Sequence, residues 1–139
     1  MADLLARQID GITALVTGAN RGLGKALTQA LLDRGAAKVY AGARDPGTVE
    51  VTDARVVRVR LDITNPGDVA AAARDCTDVS LVVNNAGAML QTPFLSAPDM
   101  SAARAEMETN YFGTLAMARR SRLCWPWPAA ARWSTCCRW

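Results

Sequence analysis

Thr17-Gly18-Ala19-Asn20-Arg21-Gly22-Leu23-Gly24 is the stretch of this chain whose residue types and spacing bear most directly on chemistry. Glycines permit a tight turn and let backbone approach a ligand closely. A helix that begins at such a turn offers unpaired N–H groups and the positive end of its dipole to an anion. The chemistry implied is phosphate binding, with Gly18, Asn20, Arg21, Gly22, Leu23 and Gly24 as candidate contacts. Three glycines also serve as an ordinary helix-capping turn, so the flanking elements decide between the two readings. A second candidate lies twenty residues beyond Gly24, at Gly42-Ala43-Arg44. A nucleotide's adenosine ribose is read at about that distance; an acid there accepts from a 2′-hydroxyl, whereas an arginine accommodates a 2′-phosphate. Arg44, with Arg21 in the loop, can pair a phosphate through forked, charge-assisted bonds. Asp45 weakens that field, and a solvated surface position would explain both arginines equally simply; the chemistry nonetheless favours NADP over NAD.

The elements that must position these residues follow from periodicity. Ile12–Thr17 is a β-rich apolar run ending at glycine, which reads as a buried strand. From Gly22 to Arg34 the apolar residues Leu23, Ala26, Leu27, Ala30 and Leu31 follow a helical spacing that stops at Gly35. Lys38–Ala43 is a second strand; Val56–Leu61 is a third, in which Val57, Val59 and Leu61 alternate with arginines. Asn65-Pro66 opens a helix running through Arg74, since proline suits a first helical turn. Val79–Val83 is a fourth strand leading into Asn84-Asn85-Ala86-Gly87; residues 88–98 read as loop and Asp99 to about Ala118 as a long helix. Strands alternating with helices predict an α/β fold with a parallel sheet.

The glycine loop has three residues between its first two glycines, and in this it resembles the short-chain dehydrogenase/reductase family, whose loop is TGxxxGxG. Three further motifs of that family occur in order. Leu61-Asp62-Ile63-Thr64 matches the segment where the family's aspartate meets the adenine, which nominates Asp62 and Ile63. Asn84-Asn85-Ala86-Gly87 matches the family's NNAG, nominating Asn85, Ala86 and Gly87. Asn110, in Asn110-Tyr111-Phe112-Gly113, matches the asparagine of the catalytic tetrad, which in the family holds a water of the proton relay. The resemblance spans residues 12–118 or so and implies a Rossmann-type sheet ordered 3-2-1-4. It also implies hydride transfer between a nicotinamide and a small carbonyl or alcohol substrate, in a longer, homo-oligomeric parent. Each residue also has a plainer reading. Asp62 could be a turn former, and Asn84 and Asn85 could simply satisfy backbone groups. Tyr111 lacks a lysine four residues on and is expected to pack in the core.

The family's serine and YxxxK are not found. The only tyrosines are Tyr40 and Tyr111 and the only lysines Lys25 and Lys38, so of the tetrad Asn110 alone is present. The chain as given is therefore expected to be catalytically incomplete. Composition points the same way. Residues 1–118 hold 11 Lys/Arg against 13 Asp/Glu, whereas 119–139 hold five arginines, no acid, all four tryptophans and three of the four cysteines. This shift marks a boundary near Ala118, dividing a partial nucleotide-binding domain, residues 1–118, from a foreign basic tail, residues 119–139. A GC-rich back-translation of the tail, read two bases on, gives ALAPVLAVAGGGAVVNVLSV: a helix end, a glycine turn and an apolar strand reaching a serine. A frame change or sequencing error near codon 119 is the expectation this carries, and the nucleotide sequence around codons 115–125 tests it.

Other function classes fare worse. There is no histidine, and Cys124, Cys136 and Cys137 have poor zinc spacing, so no metal is expected. Arginines interleaved with tryptophans in the tail suggest a nucleic-acid-associated protein only weakly, and no nucleic-acid partner is expected. No apolar run has the roughly 18 residues of a membrane span, and Met1–Gly11 carries acids rather than a leader's apolar stretch, so the expected location is cytoplasmic without a membrane partner. A non-catalytic fragment that holds nucleotide is the second reading that the missing residues leave open. Without a strand beyond the fourth, that strand's open edge is expected to leave the isolated chain aggregated or molten, binding nucleotide weakly or not at all.

Overall fold

The computed structural model describes residues 9–93 and 95–124. Four strands form one parallel sheet: β1 (Thr13–Thr17), β2 (Lys38–Ala43), β3 (Val56–Arg60) and β4 (Leu81–Val83), in the order β3-β2-β1-β4. The register sets Thr17 beside Gly42 and Val16 beside Val83, so the carboxyl ends of the strands open on one edge of the sheet. The order reverses between β1 and β4. In open α/β sheets the crevice beyond the strand ends at such a reversal is where ligands bind.

The strands are nearly continuous apolar runs because helices cover both faces, as parallel sheets require. On one face Ala14, Val16, Val39 and Ala41 pack with Leu31 and Leu32 of α1 (Gly22–Asp33). On the other, Leu15, Tyr40, Leu61 and Ile63 pack with Val69 and Ala72 of α2 (Pro66–Asp75) and with Met117. Asn65 caps α2, its Oδ1 accepting from Gly67 N at 2.8 Å, and Pro66 occupies the first turn where its missing N–H costs nothing. The short fourth strand is extended by one further bond, from Ser80 N to Thr13 O at 2.9 Å, and Val79 is buried as its apolar character implies.

Three expectations are corrected. The helix expected over 99–118 begins at Ser101, where Asp99 Oδ1 accepts from Ser101 N at 2.8 Å. It runs as α3 (Ser101–Met107), a wide π turn (Glu108–Gly113) and α4 (Thr114–Cys124). The π turn lies where the backbone of Gly113 rests on Ile63; a Cβ there would sit 2.8 Å from Ile63 Cγ1, so this close approach needs glycine. Tyr111 is not a core residue: it is 56% exposed and meets Phe112 edge-on at 5.1 Å between ring centroids. The wide turn rotates Tyr111 outward, a shift a continuous 3.6-residue periodicity cannot anticipate. Val57, one of the residues alternating with the arginines of β3, is 41% exposed because β3 is the outermost strand described and pairs only with β2. Helix α4 continues past residue 118 to Cys124, and the rest of the expected tail, 125–139, lies outside the described residues. Among the described residues no helix is long and apolar enough to cross a membrane.

Candidate functional site

A cleft of about 530 Å³ opens at the carboxyl ends of the strands. Its lining brings together all the residues nominated for nucleotide contact: Gly18, Asn20, Arg21, Gly22, Leu23 and Gly24 from the loop after β1; Arg44 from the end of β2; Asp62 and Ile63 after β3; Asn85, Ala86 and Gly87 after β4. Ala43, Asp45, Thr48, Leu61, Thr64, Ala88 and Thr109 complete it and were not nominated. Their signal in the sequence is adjacency alone, each lying within a few positions of a nominated residue.

The loop after β1 is shaped by its glycines. Gly18 and Gly22 have left-handed φ values of 65° and 51°, conformations that glycine adopts without the cost of a Cβ. Gly24 faces a different constraint, since a Cβ there would overlap the Gly18 carbonyl oxygen. Arg21 stands at the N-cap of α1 without a side-chain cap bond, and the first turn holds no acid. The helix therefore enters the cleft with its terminal N–H groups uncapped by side chains, an arrangement that favours an anion.

The opposite wall, after β4, is built differently. Buried Thr17 accepts from Asn85 N at 3.0 Å and Ala86 N at 2.9 Å through its Oγ1. Asn85 Nδ2 donates to Thr17 O at 3.0 Å and to Gly18 O at 3.2 Å, tying this wall to the glycine loop. Asn85 thus serves the backbone, as its plainer reading held, and still lines the cleft. Its neighbour Asn84 keeps a buried Oδ1 without a partner. Asn110 does not line the cleft. Its Oδ1 accepts from Ala88 N and its Nδ2 donates to Ala88 O, both at 2.8 Å. The side chain of Asn110 is thus engaged with Ala88, because an amide matches the paired N–H and C=O of an extended residue.

Between the walls, Asp62 Oδ1 accepts from Thr64 Oγ1 at 2.7 Å and Thr64 N at 2.9 Å. Burial pushes the Asp62 carboxyl up; these bonds, with the nearby Arg44 and Arg60 charges, outweigh it and hold the group below its ordinary value. Asp45 turns its carboxylate back on its own turn, accepting from Gly47 N at 2.9 Å. Arg44 and Arg21 are both exposed at the rim.

The described tyrosine–lysine pair is Tyr40 with Lys38, and it lies at the opposite end of the sheet. Tyr40 Oη donates to Asp78 Oδ1 at 2.8 Å, and Lys38 Nζ donates to Asp78 Oδ2 at 2.7 Å. Burial and the Asp78 bond push the Tyr40 hydroxyl up, the reverse of what an acid/base tyrosine needs.

The short chain dehydrogenase family model matches residues 12–122. A short chain dehydrogenase from Burkholderia cenocepacia, solved in complex with NADP, is 52% identical with a TM-score of 0.80 over 84% of this chain and 49% of that one. A 3-ketoacyl-(acyl-carrier-protein) reductase from Brucella melitensis, complexed with NADH, is 27% identical with a TM-score of 0.76 over 84% of this chain and 51% of that one. The oxidoreductase calM of Penicillium decumbens is 32% identical over 113 residues, 74% of this chain and 37% of that protein. The chain thus spans from 37% to 51% of the length of these relatives.

Proposed function

The chain belongs to the short-chain dehydrogenase/reductase family of oxidoreductases, and from that premise we propose that its cleft holds NADP for hydride transfer to or from a small carbonyl or alcohol. The observation that carries this reading is the meeting of the uncapped α1 N-terminus with Arg21 and Arg44 in one cleft. The residues suit the cofactor. The loop amides and the helix end fit a pyrophosphate, the two arginines fit a 2′-phosphate, and the half-buried Asp62 fits an adenine amine as acceptor. Asp45 competes less than its charge suggests, since its carboxylate already caps the Pro46–Thr48 turn. Bound NADPH would supply the hydride. The Burkholderia neighbour, the more similar of the two solved structures, was crystallised with NADP, which agrees with Arg44 here.

These 139 residues hold no YxxxK, and among the described residues no tyrosine or lysine lines the cleft, which favours a second statement. The chain as given retains nucleotide without turning it over, and the parent activity needs residues outside it. Titration of the full chain with NADP and with NAD tests the first statement. NADP is expected to bind more tightly, and Arg44→Asp is expected to reverse the preference; equal affinities, or no binding, would overturn it. Absence of NADPH oxidation with a panel of aldehydes and ketones is the expected result for the second. Turnover above background that Asn110→Ala removes would refute it.

A further inference from the structure

Gly87 and Ala88 line the cleft, yet the backbone from Asn85 to Leu90 belongs to no strand or helix. It hangs on side chains instead. Thr17 holds Asn85 and Ala86, Asn110 holds Ala88, and Glu106 Oε1 accepts from Leu90 N at 2.5 Å. Glu106 and Asn110 are four apart on one helical face, and Ala88 and Leu90 are two apart on one side of an extended segment. A helical turn and two extended residues span similar lengths, about 5–7 Å, so the two elements meet as a two-rung ladder. Immediately after the second rung, Gln91 adopts φ 52°, the one left-handed non-glycine conformation among the described residues. Such a conformation persists only where the surrounding structure holds it.

Building on the reading of the cleft as a nucleotide site, we propose that Glu106 is a positioning residue for the cofactor: its carboxylate pins Leu90 just beyond the cleft and so fixes the wall that Gly87 and Ala88 form. Asn110 alone leaves that wall a single anchor at Ala88, about which the segment can pivot. Glu106 removes the pivot and anchors the turn at Gln91. It does this without touching the cofactor, since Glu106 is not among the residues lining the cleft.

The test uses the full chain as wild type, Glu106→Ala and Glu106→Gln, titrated with NADP, with hydrogen exchange read at the Leu90 amide and thermal melts without nucleotide. Glu106→Ala is expected to weaken NADP binding about twofold to tenfold, the scale of one hydrogen bond. It is expected to speed Leu90 exchange while the fold itself persists, the melting temperature falling by no more than a few degrees. Glu106→Gln, which keeps an acceptor at Oε1, is expected to retain both affinity and protection. Wild-type affinity in the alanine variant, an equally protected Leu90, or failure of glutamine to restore binding would each overturn the role of Glu106. A wild type that takes up no NADP overturns the nucleotide reading itself and the positioning role with it.

Discussion

The two walls of the cleft reach the same end by different means. The wall after β1 is a matter of backbone: glycines at φ values other residues avoid, a carbonyl packed where a Cβ would sit, and a helix end left uncapped. The wall after β4 is a matter of side chains: Thr17, Asn110 and Glu106 each supply an acceptor to an otherwise unpaired N–H. The first kind of wall tolerates almost no enlargement. The second tolerates any change that keeps an acceptor in place. Thr17 belongs to both, standing at the end of β1 and holding the start of the other wall.

The largest effect is therefore expected from Gly24→Ala. The added methyl would overlap the Gly18 carbonyl and sit 2.6 Å from Asn85 Nδ2, so both walls must shift. Forced overpacking of this kind costs about 1–3 kcal/mol and sometimes more. Loss of NADP binding together with a lowered melting temperature is the expected result. A variant that melts and binds as wild type does would show the loop to be far more compliant than its packing implies.

Thr17 sharpens the contrast, because one atom can be removed at nearly constant shape. Thr17→Val leaves the Asn85 and Ala86 N–H groups without their acceptor, and each unsatisfied group costs about 1–3 kcal/mol when desolvated. The part-buried setting places the expected loss toward the low end for each. Thr17→Ser should retain both bonds. Comparing the two by chemical denaturation separates the hydroxyl from the methyl; equal stability of the valine and serine variants would break the claim that this wall hangs on acceptors.

The same contrast explains what was legible in the sequence. The α/β alternation follows from apolar runs bounded by glycines, the 3-2-1-4 order came only through the family resemblance, and Lys38–Ala43 reads from its composition with the bounds it has in the fold. The backbone wall was legible too, since only glycine supplies what its turns need, and a strand and helix flank it. The side-chain wall was not. Nothing in the periodicity near Glu106 marks it as a clamp, since a glutamate on a helix reads as an ordinary solvated residue. Asn110 came to notice only through family resemblance, and its bonds to Ala88 had no signal in the sequence. The π turn that presents it depends on the packing of Gly113 on Ile63, a contact between residues fifty positions apart. Local patterns carry no information about such pairs.

The smallest expected effect lies on the floor between the walls and turns on pH. Asp62 is held below its ordinary value by Thr64, Arg44 and Arg60 against the upward push of burial. A carboxyl whose folded value is depressed contributes stability that is fully present above its unfolded value and is lost as pH falls through the folded one. Melting curves of wild type and Asp62→Asn should therefore differ by a constant amount at neutral pH and converge as the pH drops below 3.8, the ordinary value of an aspartate. Asparagine keeps an oxygen for the Thr64 hydroxyl and N–H, so the difference isolates the charge rather than the bond. Should the wild type and Asp62→Asn curves stay parallel down to the acid transition, the Asp62 charge contributes nothing to folding. Its place in the cleft would then rest on contact with the nucleotide alone.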